Sequence, residues 1–384
     1  MRIAFNGFFL DKPNTGSGQY ARSLLAHLAQ IGAGLDCRVY RPPGVGAGDA
    51  FGPFAIRHLS GPPGRNAGKI WFEQASLPRA AARVAVDLIH YPYFAAPLIS
   101  SSKVVVTVHD LITLLFPEYQ TSLAARLYNR LIARAVRRAV LVIADSESTR
   151  RDIVRRLGLP DERIRVIYLA VEGFYRPCED ASLRAGIREK YGLGQEYILY
   201  IGGFNAHKNL GKLLEAFALV LQALGRRFTL AIAGAAHSHN PRVFPDWQLL
   251  ARQLAVGDSV KFLGFIPEGD KPPLYSAASL FVYPSLYEGF GLTPLEAMAC
   301  GAPVICSRAA SLPEVVGEGG ILVDVMEVRE LASAMTVVLS DPNKQAELRY
   351  RGTKQAQRFS WPRTANQTLE VYREASRSRA GKAG

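Results

Sequence analysis

The chain has 384 residues, of which 48% are hydrophobic, and a formal net charge of +13. This length predicts two domains, and no apolar run approaches the ~18 residues of a membrane-spanning helix. The four cysteines have neither zinc-site spacing nor the density of a disulfide framework, which favours buried thiols in a reducing cytoplasm.

The first half of the chain alternates short apolar segments with helical patterns, as βαβ units with a parallel sheet do. Residues 42–68 interrupt this alternation with five prolines and many glycines. They predict a mobile loop of the kind that often contributes to a ligand site. The predicted strands cover 2–6, 35–40, 86–90, 103–108 and 140–145, and the predicted helices lie near 16–30, 69–82, 121–138 and 146–157.

The helix predicted at 121–138 concentrates positive charge. Two rows of side chains follow it, one of arginines and one of leucines: Arg126, Arg130 and Arg134, and Leu123, Leu127 and Leu131. A basic amphipathic helix can lie on an anionic lipid surface. The alternative is a helix packed by its leucines with the arginines in solvent. No nucleic-acid-binding motif accompanies the charge, so no nucleic-acid partner is predicted.

A second alternation of strands and helices begins near residue 197. The polar segment 173–195 before it lacks a buried strand pattern, so the hinge between the domains is predicted there. An amphipathic helix from 359 to about 376 is predicted last. The strands of this half cover 197–201, 228–233, 259–262, 279–283 and 303–306. Two parallel sheets joined by a hinge would form a cleft at the carboxyl ends of their strands, where α/β proteins bind ligands.

Residues 288–296, Glu-Gly-Phe-Gly-Leu-Thr-Pro-Leu-Glu, are the most informative segment of the chain. They follow the strand predicted at 279–283. The order strand, glycine turn, helix start at Thr293-Pro294 presents backbone N–H groups to which a phosphate can bind. Glu288 and Glu296 would repel a phosphate but are good acceptors for sugar hydroxyls. Phosphate and polyol together indicate a sugar nucleotide as the ligand.

The same segment has a structural interpretation. Thr293-x-x-Glu296 matches a capping box with Pro294 at the first helical position, which would make Glu296 a structural residue. This interpretation leaves Glu288 and the paired glycines unexplained.

Gly16 and Gly18 begin a Gly-x-Gly-x-x-Ala pattern that formally matches the dinucleotide fingerprint of an NAD-dependent oxidoreductase. That fingerprint requires its first glycine directly after a strand, whereas nine residues separate Asn6 from Gly16. We therefore favour a glycine loop whose amides, with the following helix N-terminus, face a phosphate. A plain helix cap is the other interpretation.

Two further side chains follow predicted strand ends. Lys208, six residues beyond Gly202, offers a positive charge to a diphosphate. His109 directly follows the strand predicted at 103–108 and lies beside the predicted cleft, which makes it a candidate ligand contact. A surface lysine and a structural histidine are the alternatives.

Together these segments resemble the retaining glycosyltransferases of family 4, which have the two-domain GT-B fold. The Glu-x7-Glu spacing with its internal Gly-Phe-Gly carries the resemblance, which extends from the first strand to Trp361. The other matching segments are Thr15–Gly18, Val106–Asp110, Asp145–Asp152, Ile201–Gly203 with Lys208-Asn209, and Ser311–Val316.

The resemblance implies an α/β protein of two Rossmann-like domains whose parallel sheets face each other across a cleft. Residues 1–175 would bind the acceptor and residues 176–360 the nucleotide sugar. Residues 361–384 would form a helix that returns to the N-terminal domain.

The resemblance also implies roles for individual residues. Glu296 is expected to hold the ribose, Glu288 the hexose, and His109 a hydroxyl of the transferred sugar. The expected catalytic residues are His109, Lys208 and Glu288. The donor-binding residues would be Gly16, Gly18, Gly203, His207, Lys208, Glu288, Gly289, Phe290, Gly291, Leu292 and Glu296. Family members often have Arg-Lys where this chain has His207-Lys208, so a less basic clamp is expected. No Asp-x-Asp motif lies at a predicted strand end, and neither a metal ion nor a cofactor is expected.

GDP-mannose is the expected donor, by similarity to bacterial mannosyltransferases of polysaccharide assembly, with UDP- and dTDP-sugars as alternatives. The acceptor would be a glycan or a lipid-linked glycan, whose hydroxyl group attacks the donor sugar on the face from which the diphosphate leaves. The expected location is the cytoplasm or, if the basic helix predicted at 121–138 binds lipid, the inner face of the membrane. A non-catalytic basic binding protein on a GT-B scaffold is the alternative from another class, and the intact Glu288, Glu296 and Lys208 argue against it.

Overall fold

The computed structural model describes residues 1–32, 34–42, 51–62, 65–120, 122–224, 228–234, 240 and 242–378. Contacts between residues divide the chain into two compact units. Unit 1 comprises Met1–Leu169 together with the C-terminal segment from Ser360, and unit 2 comprises Ala170–Phe359.

Unit 1 is built on a parallel sheet of seven strands in the order β3-β2-β1-β4-β5-β6-β7. The strands are β1 Arg2–Asn6, β2 Asp36–Arg41, β3 Ala55–His58, β4 Leu88–Tyr91, β5 Lys103–Val108, β6 Leu141–Ala144 and β7 Ile164–Val166. Strands β4 and β6 are buried along their whole length, as expected for the middle of a parallel sheet with helices on both faces.

Six helices connect these strands: α1 Gly16–Ile31, α2 Arg65–Trp71, α3 Leu77–Arg83, α4 Ile112–Leu115, α5 Leu123–Val136 and α6 Glu147–Asp152. Two π-helical turns, Phe72–Ser76 and Ile153–Leu157, and two 3-10 turns, Pro117–Tyr119 and Asp161–Arg163, complete the connections. The single helix predicted at 69–82 is therefore two α-helices with a π-helical turn between them.

Unit 2 is built on a parallel sheet of six strands in the order β10-β9-β8-β11-β12-β13. The strands are β8 Tyr197–Ile201, β9 Thr229–Ala233, β10 Val260–Gly264, β11 Leu280–Tyr283, β12 Val304–Ser307 and β13 Ile321–Val323. The helices are α7 Ala181–Lys190, α8 Leu210–Leu224, α9 Trp247–Gln253, α10 Lys271–Ala277, α11 Leu292–Ala299, α12 Leu312–Val316, α13 Val328–Ser340 and α14 Pro342–Ala356. The 3-10 turns are Ala206–Lys208, Gly257–Ser259, Glu268–Asp270 and Gly317–Gly319.

The last helix, α15 Trp361–Arg377, belongs to unit 1, where it packs on α1, β4 and β5. The hydroxyl group of Tyr372 lies 2.7 Å from Nδ1 of the buried His90, and Thr364 donates to the carbonyl oxygen of Tyr168 at 2.7 Å. The predicted return of the C-terminal helix to the N-terminal domain is confirmed.

The two predicted parallel sheets are confirmed, and the differences are local. Residues 55–58 form strand β3 inside the segment predicted to be a mobile loop, of which 43–50 and 63–64 lie outside the described residues. This strand escaped prediction because most of its residues are exposed, so it lacks an apolar pattern. The short strands β7 and β13 were also missed. The polar segment 173–195 contains helix α7, and the units divide at residue 169.

Candidate active site

The strand order places a topological switch point in the middle of the sheet of unit 2. The chain passes from β8 to β9 on one side, while β11 pairs with β8 on the other. In parallel sheets, ligands bind outside the carboxyl ends of the strands at such a point. Lys208 follows β8 and Glu288 follows β11, so the two side chains meet at this edge although they are 80 positions apart.

Lys208 and Glu288 form a close ion pair. The Nζ atom of Lys208 lies 2.6 Å from Oε1 of Glu288 and 3.1 Å from the hydroxyl oxygen of Tyr283 at the end of β11. The two charged side chains are 14% and 13% exposed. Burial alone would raise the pKa of Glu288, but the nearby Lys208, together with Ser285 and His207, lowers it below its usual value. Glu288 is therefore ionised at neutral pH.

His207, the other half of the expected basic clamp, is buried beside this pair. Burial, with the nearby Lys208, lowers the pKa of His207 to about 4. His207 is therefore neutral at physiological pH and adds no positive charge to that of Lys208. Burial therefore makes this position less basic than an exposed histidine would be.

Two backbone segments come very close together beside Lys208. A Cβ atom on Gly234, whose φ is +139°, would lie 1.8 Å from the carbonyl oxygen of Gly202, so only glycine fits after β9. Gly203 follows at the end of β8, and its carbonyl oxygen accepts a hydrogen bond of 2.8 Å from Tyr200.

The segment after Glu288 leads into helix α11. Gly291 is the N-cap, with φ of +115°, and a Cβ atom there would lie 2.9 Å from the side chain of Leu312. The hydroxyl group of Ser311 lies 2.9 and 2.6 Å from the carbonyl oxygens of Glu288 and Phe290 and shapes the turn. Gly289 and Phe290 are buried, and Leu292 is the first helical residue. The first N–H groups of a helix have no intrahelical partner and carry its positive end.

The capping-box interpretation of Glu296 is wrong. The helix begins at Leu292 rather than at Thr293, because Gly291 takes the left-handed conformation, and no side chain caps it. Oε2 of Glu296 instead accepts a hydrogen bond of 2.9 Å from Tyr275 on α10. Burial raises the pKa of Glu296 to about 7, although Lys271 opposes this effect.

In unit 1, the structure places His109 directly beside Asp145. His109 follows β5 and Asp145 follows the neighbouring strand β6. Nδ1 of His109 lies 2.6 Å from Oδ2 of Asp145, and Nε2 lies 3.1 Å from the carbonyl oxygen of Pro92. Burial alone would lower the pKa of His109, but Asp145 outweighs burial and the pKa is raised. Because both ring nitrogens face acceptors, the doubly protonated imidazolium fits this geometry.

Gly16 and Gly18 do not form the predicted loop. Both lie in the first turn of α1, whose N-cap is Thr15, and the amide of Gly18 donates to the Thr15 hydroxyl at 3.1 Å. The chain turns earlier, between β1 and residue 15, which is why the glycines are helical. The same helix places the ring of Tyr20 edge-on to that of His109, with their centroids 4.8 Å apart.

Two buried acids near these residues received no role from the sequence. Asp145 had a usable signal, since it follows a predicted strand as His109 does. Glu73 lies in the π-helical turn after α2, where its carboxylate accepts hydrogen bonds of 2.8 Å from both Tyr93 and Tyr128. Its position in a helical pattern could not distinguish Glu73 from an exposed acid, because the π-helical turn that directs it inwards is not visible in the sequence.

Across the described residues, no group of three or more His, Cys, Asp and Glu side chains could hold a metal ion. Within the same ranges, no helix combines the length and the apolar character needed to cross a membrane.

Two family models match the chain: Glycosyltransferase Family 4 over residues 14–172 and Glycosyl transferases group 1 over residues 184–355. The O-antigen chain mannosyltransferase B of Escherichia coli is 35% identical over 287 residues, 74% of each chain. The serotype-specific mannosyltransferase WbdA of Escherichia coli is 29% identical over 84% of this chain, which spans only 40% of that protein. The sucrose-phosphate synthase of Thermosynechococcus elongatus has a similar fold, with a TM-score of 0.75 at 23% identity over 97% of this chain and 98% of that one.

Proposed function

This chain belongs to the family 4 and group 1 glycosyltransferases of the GT-B fold, and on that premise we propose that it transfers a mannosyl group from a nucleotide sugar to a glycan hydroxyl. The observation that carries the proposal is the ion pair of Lys208 and Glu288 at the switch point of unit 2. A cation, a carboxylate and a helix N-terminus at one sheet edge suit a ligand that combines a diphosphate with a sugar.

In this proposal, unit 2 binds the donor. Lys208 and the first N–H groups of α11 hold the diphosphate, and Gly203 and His207 line the same edge. Glu288 accepts hydrogen bonds from the hexose and Glu296 from the ribose. The donor also lies along the backbone of the turn that leads into α11, which comprises Gly289, Phe290, Gly291 and Leu292.

The proposed reaction retains the configuration of the anomeric carbon. The acceptor oxygen bonds to that carbon as the bond to the diphosphate oxygen breaks, and the hydroxyl proton passes to the departing phosphate. Negative charge therefore develops on the diphosphate, where Lys208 stabilises it without a metal ion. Binding of this charge in the transition state, more than in the ground state, is what accelerates the reaction.

The proposed donor is GDP-mannose and the proposed acceptor a glycan, free or lipid-linked. The support is the name of the Escherichia coli O-antigen chain mannosyltransferase B, at 35% identity over 74% of each chain. UDP- and dTDP-sugars are the second candidates. The oxidoreductase interpretation is abandoned, because nine residues separate β1 from α1 and the chain belongs to the glycosyltransferases.

The experiment combines a binding panel with a product analysis. GDP-mannose, UDP-glucose, a dTDP-sugar and NAD are compared by the shift in melting temperature, and nucleoside diphosphate release is then measured with a mannan oligosaccharide. Proton NMR of the product identifies the anomeric configuration. We expect GDP-mannose to bind and its configuration to be retained. An inverted product would refute the mechanism, and stabilisation by NAD alone would refute the assignment.

His109 is proposed to contact a hydroxyl of the transferred sugar as an imidazolium, with the Nε2–H group that faces the carbonyl oxygen of Pro92 turning to that hydroxyl when the donor binds. Asp145→Asn should then lower the pKa of His109, because the charge that raises it is lost. The stability that the His109–Asp145 pair contributes is fully present below the usual His pKa of ~6.5. It is lost as pH rises through the raised pKa of His109. We expect the alkaline limb of the activity profile to move to lower pH in the variant. NMR titration of the ring and kcat/KM against pH would measure both effects.

The matched control is Asp161→Asn, since Asp161 pairs with Arg150 on the surface of the same unit. In this control, the NMR titration of His109 and the dependence of kcat/KM on pH should match those of the native chain. If Asp145→Asn leaves the histidine pKa unchanged, the proposed electrostatic role of Asp145 is wrong.

A membrane surface is proposed as a further partner of α5. Leu123 and Leu127 are 70% and 54% exposed, whereas Leu131 packs against the core of unit 1, so only one of the three leucines fits the alternative. The two exposed leucines lie beside the exposed Arg126, Arg130 and Arg134. A helix with apolar and basic side chains both in solvent suits an anionic lipid surface.

Changing the three arginines to glutamate should abolish binding to anionic vesicles while activity on a short oligosaccharide persists. At ~1 kcal/mol for each basic residue, removing three lowers affinity at least about a hundredfold. Raised salt should have the same effect on the native chain. Co-sedimentation with vesicles measures this. The charge-matched control changes Arg155, Arg156 and Arg163, and equal loss in the control would mean that only net charge matters.

A further inference from the structure

A second concave site lies in unit 2, at the edge of the sheet opposite the candidate active site. Its volume is about 510 Å³. Ser276 and Ala277 end α10 before β11 begins, and Cys300 and Gly301 directly follow α11 before β12 begins. These residues therefore lie at the amino ends of the strands, whereas Lys208 and Glu288 follow carboxyl ends. We call this cavity the arginine pocket.

Three arginines line the arginine pocket: Arg184 and Arg188 on α7, and Arg349 on α14. In the described parts of the chain, none of the three lies within 4 Å of a carboxylate oxygen. Glu179 at the rim is the one acid of the lining. Arg184 and Arg349 are close enough for the charge of Arg184 to lower the pKa of Arg349, after the effect of burial.

Helix packing accounts for only one of these arginines. Arg349 donates to the carbonyl oxygens of Ser276, Ala278 and Gly301 at 3.2, 2.7 and 2.5 Å, and so satisfies the C-terminal ends of α10 and α11. Among the described residues, the side chain of Arg184 makes a single hydrogen bond, to the carbonyl oxygen of Cys178 at 3.0 Å. The side chain of Arg188 makes no hydrogen bond within the same ranges. Most donors of Arg184 and Arg188 are therefore left for a ligand.

We infer that the arginine pocket binds a small phosphorylated molecule, with Arg184 and Arg188 as the phosphate ligands. Guanidinium groups present paired N–H donors that match phosphate oxygens, and like charges held together in a concave site attract an anion of two or more charges. The volume admits a phosphorylated molecule of a few rings. This site is separate from the proposed donor site, and its test does not depend on glycosyl transfer.

Cys178 supplies a local readout, because it lines the pocket and is partly exposed, whereas Cys37, Cys300 and Cys306 are buried. The probe is inorganic pyrophosphate, and the rate of iodoacetamide alkylation of Cys178 is followed by peptide mass spectrometry. We expect pyrophosphate to slow alkylation several-fold in the native chain. Lys208→Ala should retain this protection, because that residue lies in the other site.

The decisive variant is Arg184→Gln with Arg188→Gln, each rate being compared with and without pyrophosphate. Protection should disappear, and calorimetry in the Lys208→Ala background should show at least about tenfold weaker binding. The control, Arg155→Gln with Arg156→Gln, removes the same charge from the exposed surface of unit 1 and should keep protection. Arg188→Gln alone guards against misfolding, since the side chain of Arg188 makes no hydrogen bond in the described chain. Absence of protection in the native chain, or equal protection in the double variant, would overturn the inference.

Discussion

Lys208→Ala is expected to lower kcat by about 10²- to 10³-fold, the loss typical of removing one preorganised group that stabilises a developing negative charge. Donor affinity should change much less. The Nζ atom is held 2.6 Å from Glu288 and 3.1 Å from Tyr283, so its charge is positioned before the reaction begins. Steady-state kinetics with the donor varied, and calorimetry for donor binding, separate the two effects.

Lys212→Ala is the matched control, because Lys212 follows closely in the chain but pairs with Glu215 at the surface. It should leave kcat unchanged. If Lys208→Ala raises only KM, the lysine binds substrate and transition state equally and the leaving-group role is wrong.

Part of any loss in Lys208→Ala could arise because Glu288 is left buried without its cation. The double variant Lys208→Ala with Glu288→Gln distinguishes the two causes. Its melting temperature should recover towards the native value, because the uncompensated charge is gone. Turnover should not recover, because the leaving diphosphate still lacks its cation.

Glu296→Gln is expected to weaken donor binding by about 10- to 100-fold at pH 8, where one or two charged hydrogen bonds to the ribose are lost. The same substitution should also remove the dependence of donor affinity on pH. Burial raises the pKa of Glu296 to about 7, so the native carboxyl group becomes a charged acceptor, with both oxygens able to accept, only as pH rises from 6 to 8. Native donor affinity should therefore increase over this range, while that of the variant stays constant. Calorimetry at three pH values measures both.

Stability should change in the opposite direction. A raised pKa means that the folded state disfavours the ionised carboxylate, so this destabilisation is absent below pH 4.5 and complete above pH 7. At 1.36 kcal/mol per pH unit, a change from 4.5 to about 7 corresponds to ~3 kcal/mol. Glu296→Gln should melt at a higher temperature than the native chain at pH 8, with the difference narrowing towards pH 5.

The exposed Glu347 provides the control, because Glu347→Gln should alter neither the donor affinity nor its pH dependence. A Glu296→Gln variant with native donor affinity at pH 8 would mean that Glu296 serves only the packing of α10 and α11.

The sequence by itself determined that the chain forms two parallel sheets. The runs Tyr197–Ile201 and Leu280–Tyr283 are apolar because strands buried on both faces need no alternation, and this property is local and can be read directly. The positions of Lys208, Glu288 and His109 just after strand ends follow from the same pattern. The exposed strand β3 has no such pattern and was missed.

Only the tertiary structure decided which of these residues meet. Lys208 contacts Glu288 because β8 and β11 are neighbours, and His109 contacts Asp145 because β5 and β6 are neighbours. Strand order depends on packing across the whole sheet, which no local periodicity encodes. Burial is equally non-local: it raises the pKa of Glu296 and keeps His207 neutral, whereas Leu123 and Leu127 of α5 remain exposed. The sequence therefore supplied the chemical groups, and the fold determined their partners and their charge.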